Sequence, residues 1–493
     1  MEGAEALIER IRTYNPSVDE ALVTRAYAFA EQAHRGQTRN SGAPYITHSL
    51  ATAMNLAEMR MPTPIIVAGL LHDVPEDTAQ TLEEIEKQFG RDVAGMVRGI
   101  TKLGKLKYRG IERYLENLRK MFLAMAADVR VIIIKFADRL HNLETLEGLP
   151  QKKQYRVALE SLEIFAPIAN RLGMGDVKGQ IEDRAFKYVY PTEYTWTLQL
   201  AKGFRESKQP YLDRIIERTK DILVGAGIQP ISVHGRSKHL YSLYRKLIRH
   251  DRNMKSIYDL IAVRVIVPTI ADCYAVLGVI HGAWNPLKGR IKDYIAQPKP
   301  NGYQSLHTTV FCDDGEIVEF QIRTQDMHNV DEFGIAAHWQ YDEKKSGGRG
   351  REEHLRWMEQ LSELQQEIAD KKQFLSALEE MKIDVFRDRI FVFTPKGDVI
   401  DLPEDSTPVD FAFAIHTDIG NTCASAKVND DIAPLDRALK SGDMVEILRD
   451  KSRKGPNPDW IKFVKTRHAK SCIRSHTRSN LARWIKGLIP GKS

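Results

Sequence analysis

The ten residues GLLHDVPEDT, 69 to 78, end a wholly apolar approach with one histidine and three carboxylates within six positions. The run that precedes them predicts a buried helix, and burying His72, Asp73, Glu76 and Asp77 without partners is costly. A divalent cation removes that cost, because it neutralises carboxylates and takes up an imidazole lone pair. Residues four apart share a helix face, so the spacing stacks His72 over Glu76 and Asp73 over Asp77. Pro75 removes one helix hydrogen bond and kinks or restarts the helix between them. Two remote segments offer further ligands: His48 in PYITHS, on a helix with Pro44 in its first turn, and Asp138 in IIIKFADRLHN, one turn before Asn142. A cation held there would lower the pKa of a bound water and polarise a phosphoryl oxygen. Glu76 and Asp77, beyond the ligands, would orient that water or shuttle its proton. His34 and His141 read as packing or hydrogen-bonding residues rather than ligands.

A second constellation lies two hundred residues on. HGRSKHLYSLYRKL, 234 to 247, interleaves Arg236, Lys238, Arg245 and Lys246 with Tyr241 and Tyr244, a density of cations that suits a polyphosphate. In YDLIAVRVIVP a lone carboxylate, Asp259, enters an apolar strand. In VEFQIR the two-residue period of a strand puts Val318, Phe320 and Ile322 on one face and Glu319, Gln321 and Arg323 on the other. Asp259 and Glu319 could hold Mg²⁺ and activate a hydroxyl, as phosphoryl-type transfer requires. Between them, GRIKDYIAQPKPNGYQSLHT is basic at first, passes Lys299, turns at Asn301-Gly302 and presents Tyr303, suited to stacking on a base, and His307. Neither a P-loop nor a Rossmann glycine motif is present.

The elements that must position these residues fall into blocks. A chain of 493 residues is enough for about three domains at ~100–200 residues each. With 42% hydrophobic and 28% charged residues it is globular rather than disordered or fibrous. No run approaches the ~18 apolar residues of a membrane span, and MEGAEALIERIRTYN is acidic and amphipathic, unlike a signal or transit peptide. The chain therefore reads as cytoplasmic, with no membrane partner. Cys273, Cys312, Cys423 and Cys472 are far apart and read as free thiols. Residues 1–195 carry helical periodicity and almost no strand signal; 196–341 are α/β; 342–384 are a polar loop and a helical linker; 385–449 form a small β-rich module. Residues 450–493 are basic: from Lys451 on, twelve Lys/Arg face a single acid, Asp459, a block suited to a polyanion such as RNA.

The ordered set His48, His72-Asp73, Asp138 resembles the HD phosphohydrolase pattern, and two nitrogen with two oxygen ligands suit Mn²⁺ better than a structural zinc. Over nearly its whole length the chain resembles the RelA/SpoT family, in its bifunctional branch, whose members make and degrade guanosine tetra- and pentaphosphate, (p)ppGpp. The resemblance rests on HRGQTRNSGAPYITH, HDVPEDT, KFADRLHN, GRSKHLYSLYRK, YDLIAVRVI, GRIKDYIAQPKPNGYQSLHT, EFQIRT and GIAAHWQY, and on FAFAIHTDIG in a TGS-like module. It implies an all-α HD-type hydrolase domain, an α/β synthetase domain with a nucleotidyltransferase-like mixed sheet, and a β-grasp-like TGS domain. In the hydrolase it implies Mn²⁺ on His48, His72, Asp73 and Asp138, catalysis by Glu76 and Asp77, and guanosine contacts from Arg39 and Asn142. That site would remove the 3′-pyrophosphate of (p)ppGpp. The synthetase would move the β,γ-pyrophosphoryl group of ATP to the 3′-hydroxyl of GDP or GTP. There Arg236 and Lys238 look like ATP contacts, Asp259 a Mg²⁺ ligand, Glu319 the ligand or base at the accepting hydroxyl, and Tyr303 the guanine stacker. Lys246, Lys299, Asn301, His307 and Gln321 complete the implied nucleotide contacts.

The tetrapeptide Arg290-Ile291-Lys292-Asp293 is the basic form associated with bifunctional members. The TGS module implies contact with uncharged tRNA on the ribosome, with His416 as the contact residue, and relatives continue beyond a TGS module where this chain looks truncated. Asn40 stands where the family has lysine, which removes a charge from the hydrolase substrate site but leaves the metal set intact. Two other readings stay open: a predominantly hydrolytic enzyme with weak synthesis, and a tRNA- or ribosome-binding regulator acting through the TGS module and basic tail.

Overall fold

The computed structural model describes residues 2–40, 42–104, 128–236, 239–249, 252, 261–299, 301–337, 389–395, 399–440, 443–450, 452–453, 455–466 and 468–476. Lys238, Asp259, the polar loop and linker helix of 342–384, and the tail beyond 476 lie outside these residues. The chain divides into two compact units, 1–364 and 365–493.

The first unit opens with helices: α1 (Glu2–Arg12), α2 (Glu20–Ala33), α3 (Ile46–Glu58), α4 (Thr63–Leu71), α5 (Val74–Asp77), α6 (Leu82–Gly104) and α7 (Arg130–Glu144), followed by α8 (Gln151–Glu160), α9 (Ala166–Arg171) and α10 (Gly175–Val189). As expected, no strand interrupts the described part of this stretch; its one β-type contact is an isolated bridge from Thr38 to Pro44. Pro44 therefore belongs to the approach to α3, which begins at Ile46, rather than to its first turn. Every residue of α4 except Pro64 is buried, and α7 buries its Val131–Ile134 run, Phe136 and Leu140. α3 packs against both. Close approach of α3 to α4 depends on Gly69, where an added Cβ would lie 2.4 Å from Leu56 Cδ1.

The continuous helix inferred for residues 72 to 77 is not what forms. α4 stops at Leu71 with His72 as its cap, and Asp73 caps the separate short α5, where Pro75 sits in a first turn whose N–H groups need no intrahelical partner. His72 over Glu76 is thus not a stacked pair on one helix; the break aims the two halves of the motif separately.

A long helix, α11 (Pro191–Gly225), passes through residue 195 and leads into the α/β part. Its sheet has the order β1 (Ser232–Gly235), β2 (Ala262–Val267), β6 (Ile317–Thr324), β5 (Leu306–Phe311), β3 (Asn285–Pro286), with β4 (Lys292–Asp293) also on β5. Among the described strands of this sheet, only β2 and β6 run parallel. α12 (Leu240–Arg249) and α13 (Ile270–Ala283) precede β3, and α14 (Gln325–Phe333) follows β6. Val263, Val265, Leu306, Val310, Val318, Phe320 and Ile322 form one buried core with Val276 and Ile280 of α13 and with Tyr211 and Ile215 of α11. The period-two reading of VEFQIR therefore holds, and registers carry its polar face across the sheet: His234 pairs with Arg264, Arg264 with Gln321, Gln321 with His307, and His307 with Lys292.

The two parts of this unit meet at Gly334. Its φ of +56° and an added Cβ only 2.3 Å from the Leu172 carbonyl leave room for no side chain, and Ile335 N–H donates to that same carbonyl at 3.0 Å.

In the second unit, β7 (Arg389–Phe393) and β8 (Val399–Pro403) form an antiparallel pair, and β9 (Cys423–Val428) lies between β10 (Asp431–Ala433) and β11 (Val445–Arg449). α15 (Pro408–Ile415) starts with a capping box between Thr407 and Asp410. The fully buried Asp410 carboxylate also accepts from the backbone N–H groups of Lys465 and Thr466 and the Thr466 hydroxyl. Trp460, Val464, Ala469 and Ile473 pack with Val409, Ala412 and Phe413 in one core.

Gly69→Val should force α3 and α4 apart and destabilise the chain by about 1–3 kcal/mol, the usual range for overpacking. The measurement is the urea midpoint followed by circular dichroism; an unchanged midpoint means the helices do not depend on this contact.

Candidate functional site

Three helix ends and one helix middle converge in the first unit. His48 near the start of α3, His72 at the end of α4 and Asp138 in the middle of α7 are all buried and present ligand atoms within 4.8 Å of one another. Asp73 joins them: its Oδ2 lies 3.3 Å from His48 Nε2 and 3.1 Å from His72 Nε2. His72 Nδ1–H donates to the Gly69 carbonyl at 2.7 Å, so in the neutral ring Nε2 bears the lone pair. That nitrogen is buried and has no hydrogen-bond partner. His48 Nδ1 lies 2.7 Å from His141 Nδ1; with His48 Nδ1–H as the donor and His141 Nδ1 as the acceptor, the His48 Nε2 lone pair faces the carboxylates. Two inward lone pairs beside two carboxylates fit a divalent cation, because no N–H remains to satisfy the carboxylates from the ring side.

The electrostatics agree with the geometry. Burial pushes the Asp138 carboxyl up, but the Lys135 ammonium and His48 outweigh it and hold the group well below the usual carboxylate range. Asp73 is likewise held low against burial by His72 and His48. Burial lowers the His72 imidazole, yet Asp73 and Asp138 more than reverse this and raise it to about 9. Glu76 is raised, first by burial and then by Asp73 and Asp77, with Lys135 opposing. A carboxyl with elevated proton affinity beside a metal-compatible site suits proton transfer. His141 is pushed down to about 4 by burial and by the charges of His48 and Arg39. It is a hydrogen-bonding residue, as read from the sequence, though its partner is one of the convergent histidines.

Beside this centre lies a cavity of about 400 Å³, large enough for a nucleotide-sized ligand, lined by Arg39, Asn40, Tyr45, Lys135, Asn142 and Thr145 among others. Arg39 Nη2 donates to Asn142 Oδ1 and to Thr145 Oγ1, both at 3.1 Å, and Asn142 Nδ2 donates to Asp138 Oδ1 at 2.5 Å. Cavity and metal-compatible centre are thus one network. Glu76 and Asp77 are exposed at its edge, and the Tyr45 hydroxyl lies 2.8 Å from Asp73 Oδ2 and 2.7 Å from Asp77 Oδ2.

Four residues here were not singled out from the sequence: Tyr45, Lys135, Thr145 and, as a partner of His48, His141. Two of them, Lys135 and Thr145, could have been found. Lys135, Asp138, Asn142 and Thr145 recur at intervals of three, four and three, one stripe on one face of α7 and its C-cap. Tyr45 lies in a loop and carries no such signal.

The synthetase candidates gather on the polar face of the mixed sheet. His307 Nδ1 lies 3.1 Å from Glu319 Oε1, its Nε2 lies 2.7 Å from the Tyr303 hydroxyl, and Gln321 Nε2 donates to Glu319 Oε2 at 3.1 Å. Lys299 places its ammonium 4.6 Å from the centre of the Tyr303 ring and 4.7 Å from that of Tyr294, so one face of the tyrosine already carries a cation. Burial and the charges of Lys292 and Arg236 push Lys299 down to about 8, and burial raises Tyr303 to about 12. Asn301 caps its turn by accepting from Tyr303 N–H at 3.3 Å, and its amide reaches the Asn170 carbonyl of the helical part at 3.4 Å. Arg236 is exposed at the end of β1, and Lys246 is half-buried on α12. In the basic tetrapeptide, Asp293 Oδ1 accepts from the backbone N–H groups of Ile295 and Ala296 and Oδ2 from the Tyr274 hydroxyl, while Lys292 lies opposite His307. In the second unit, His416 is exposed and accepts from Asp418 N–H at 3.2 Å, capping the short α16 (Thr417–Asn421).

A helical domain with a buried His/Asp centre, followed by a mixed-sheet domain and a small β-rich one, is the class this fold and site define. The chain matches the HD domain over residues 26–175, the region found in RelA / SpoT proteins over 235–346, and the TGS domain over 390–449. It is 45% identical over 468 residues to a GTP pyrophosphokinase of Myxococcus xanthus, a match covering 94% of this chain and 61% of that protein. It is 45% identical over 472 residues to the bifunctional (p)ppGpp synthase/hydrolase SpoT of Escherichia coli, and 44% identical over 468 residues to a guanosine-3′,5′-bis(diphosphate) 3′-pyrophosphohydrolase of Aquifex aeolicus, each match covering 95% of this chain and 66% of the relative. The chain belongs to the RelA/SpoT family. It spans about three fifths to two thirds of the length of these relatives. No described helix is long and apolar enough to cross a membrane.

A proton and a cation compete for His72. In the metal-free chain the raised imidazole contributes stability that is present below its ordinary 6.5 and lost as pH rises through about 9. Cation binding runs the other way and should weaken about tenfold per unit as pH falls from 8 to 6. Calorimetric titration with Mn²⁺ in buffers of different ionisation enthalpy should show about one proton released per ion at pH 7. Absence of proton release would remove His72 from the ligand set.

Proposed function

We propose that the chain is a bifunctional (p)ppGpp enzyme, hydrolysing (p)ppGpp in the helical domain and synthesising it on the mixed sheet. The observation that carries the reading is the buried convergence of His48, His72 and Asp138 beside a cavity whose Arg39 and Asn142 are wired to Asp138. Mn²⁺ on His48, His72, Asp73 and Asp138 would supply Lewis-acid polarisation and a more acidic water when bound. Glu76 and Asp77 orient the attacking water and accept its proton, with Tyr45 fixing Asp77 relative to Asp73. Arg39 and Asn142 grip the guanosine nucleotide, and Lys135 keeps Asp138 ionised. The water oxygen bonds to the phosphorus attached to the 3′-oxygen, the bond between that phosphorus and the 3′-oxygen breaks, the 3′-oxygen takes up a proton, and pyrophosphate leaves with GDP or GTP regenerated.

On the sheet, the 3′-hydroxyl of GDP or GTP attacks the β-phosphorus of ATP and AMP departs. Glu319 serves as metal ligand or as base for the hydroxyl, Asp259 as partner ligand for Mg²⁺, and Tyr303 stacks on guanine. Arg236 and Lys238 neutralise the ATP phosphates, and Lys246, Lys299, Asn301, His307 and Gln321 line the nucleotide site; Arg290, Lys292 and Asp293 form the tetrapeptide of the bifunctional branch. The aromatic and cationic groups around the Glu319 carboxylate support this reading. The TGS module, with its exposed His416, is assigned to uncharged tRNA on the ribosome, and the cytoplasm is the expected compartment.

The test is a pair of assays on one preparation: Mn²⁺-dependent ppGpp hydrolysis and Mg²⁺-dependent pyrophosphate transfer from ATP to GDP. Asp73→Ala should lower hydrolysis by at least about a thousandfold with transfer retained, and Glu319→Gln the reverse, as expected when an essential catalytic group is removed. Loss of both reactions in either variant would contradict two separate sites.

A further inference from the structure

Tyr303, His307 and Glu319 form one hydrogen-bonded chain that a list of nucleotide contacts does not explain. In the β5–β6 register His307 is directly opposite Gln321, and Glu319, two residues away on the same face, is its diagonal neighbour, within reach of a long side chain. A carboxylate only accepts, so the 3.1 Å contact with Glu319 Oε1 requires the proton on His307 Nδ1. In the neutral ring Nε2 is then an acceptor, and the Tyr303 hydroxyl, 2.7 Å away, donates to it. Tyr294 stands perpendicular to the imidazole with ring centres 5.3 Å apart and edge-on to Tyr303 at 5.8 Å, which fixes the planes of both rings. The side chains of His307 and Glu319 are only 13% and 14% exposed, so water has little access to replace either bond.

We propose that His307 is a positioning residue that ties the guanine-stacking ring of Tyr303 to the Glu319 carboxylate serving the accepting hydroxyl. Seating of the base and aim of the carboxylate are then one event rather than two. The hydroxyl bond to Nε2 is formed before any base arrives, so the tyrosine ring on which a purine seats already holds the imidazole plane, which holds Glu319 Oε1. The other carboxylate oxygen is held by Gln321 Nε2. The inference rests on the synthetase reading above and adds the means by which its base-binding and reacting ends communicate.

The two bonds can be cut separately. An asparagine amide nitrogen falls near the Nδ1 position, so His307→Asn keeps the donor to Glu319 and loses Tyr303. A glutamine reaches the Nε2 position, so His307→Gln keeps the Tyr303 partner and loses Glu319. With Mg²⁺, ATP and varied GDP, His307→Asn should raise KM for GDP about tenfold with kcat within about threefold, and His307→Gln should lower kcat about thirtyfold or more with KM nearly unchanged. Tyr303→Phe deletes the same bond as His307→Asn from the other side, so it should raise KM by a similar factor, and the double variant should be no worse than either single one. Thermal unfolding midpoints by circular dichroism identify any variant whose loss is a folding defect, and Tyr303→Phe, which removes one oxygen, is the variant least exposed to that problem. Equal effects of Asn and Gln on kcat and KM, or additive effects in the double variant, overturn the proposal. A wild-type chain that binds GDP calorimetrically but transfers no pyrophosphate overturns the synthetase reading, and this inference with it.

Discussion

Two imidazoles and two carboxylates crowd into one largely buried space, and the rest of the helical domain is arranged around that fact. Each histidine has its outer nitrogen occupied, His72 by a backbone carbonyl and His48 by His141, which turns both inner nitrogens toward Asp73 and Asp138. Left alone, the arrangement has negative charge and lone pairs facing one another at 3.1 to 3.3 Å. Either a proton or a cation must resolve it. The raised affinity of His72 for a proton measures how strongly the cluster demands positive charge, and Lys135, 2.8 Å from Asp138, supplies part of it from the side.

The sheet domain solves a related problem differently. A row of polar side chains crosses five strands on one face, while the other face carries the aliphatic core. Strand alternation makes this separation automatic, and pairing between strands brings residues distant in sequence into one row. Glu319 is held by His307 because the register brings that residue beside it, and by Gln321 because strand alternation puts residues two apart on one face. The helical domain builds its centre from helix ends and one helix stripe; the sheet domain builds its own from a row of the fabric itself.

How much of this could be read from the sequence depends on the range of the determining interaction. The His72-Asp73 dipeptide after an apolar run, the remote His48 and Asp138, and the alternation in VEFQIR were legible because local spacing sets them, and Pro75 carried the signal for the break between α4 and α5. The start of α3 was misplaced because Pro44 is fixed by a bridge to Thr38, a contact six residues back in a loop without periodicity. Tyr45 between two carboxylates and His141 against His48 were invisible for the same reason: each needs the packing of elements 28 to 93 residues apart in sequence. Lys135 was legible in principle, as a member of a polar stripe, but a lysine three residues before an aspartate is ordinary on any helix surface.

The buried carboxylate of Asp410 has a consequence for where the small β-rich unit ends. Family resemblance closes it at residue 449, yet this side chain caps a helix and simultaneously grips the backbone at 465 and 466, and Trp460 to Ile473 complete the apolar core behind that helix. What is inherited as a module and what coheres as a solid body therefore have different edges. A cut at the inherited edge would strip a tryptophan and three aliphatic side chains from an interior and leave one carboxylate with two of its five donors. The basic segment begins, in mechanical terms, inside the module it was taken to follow.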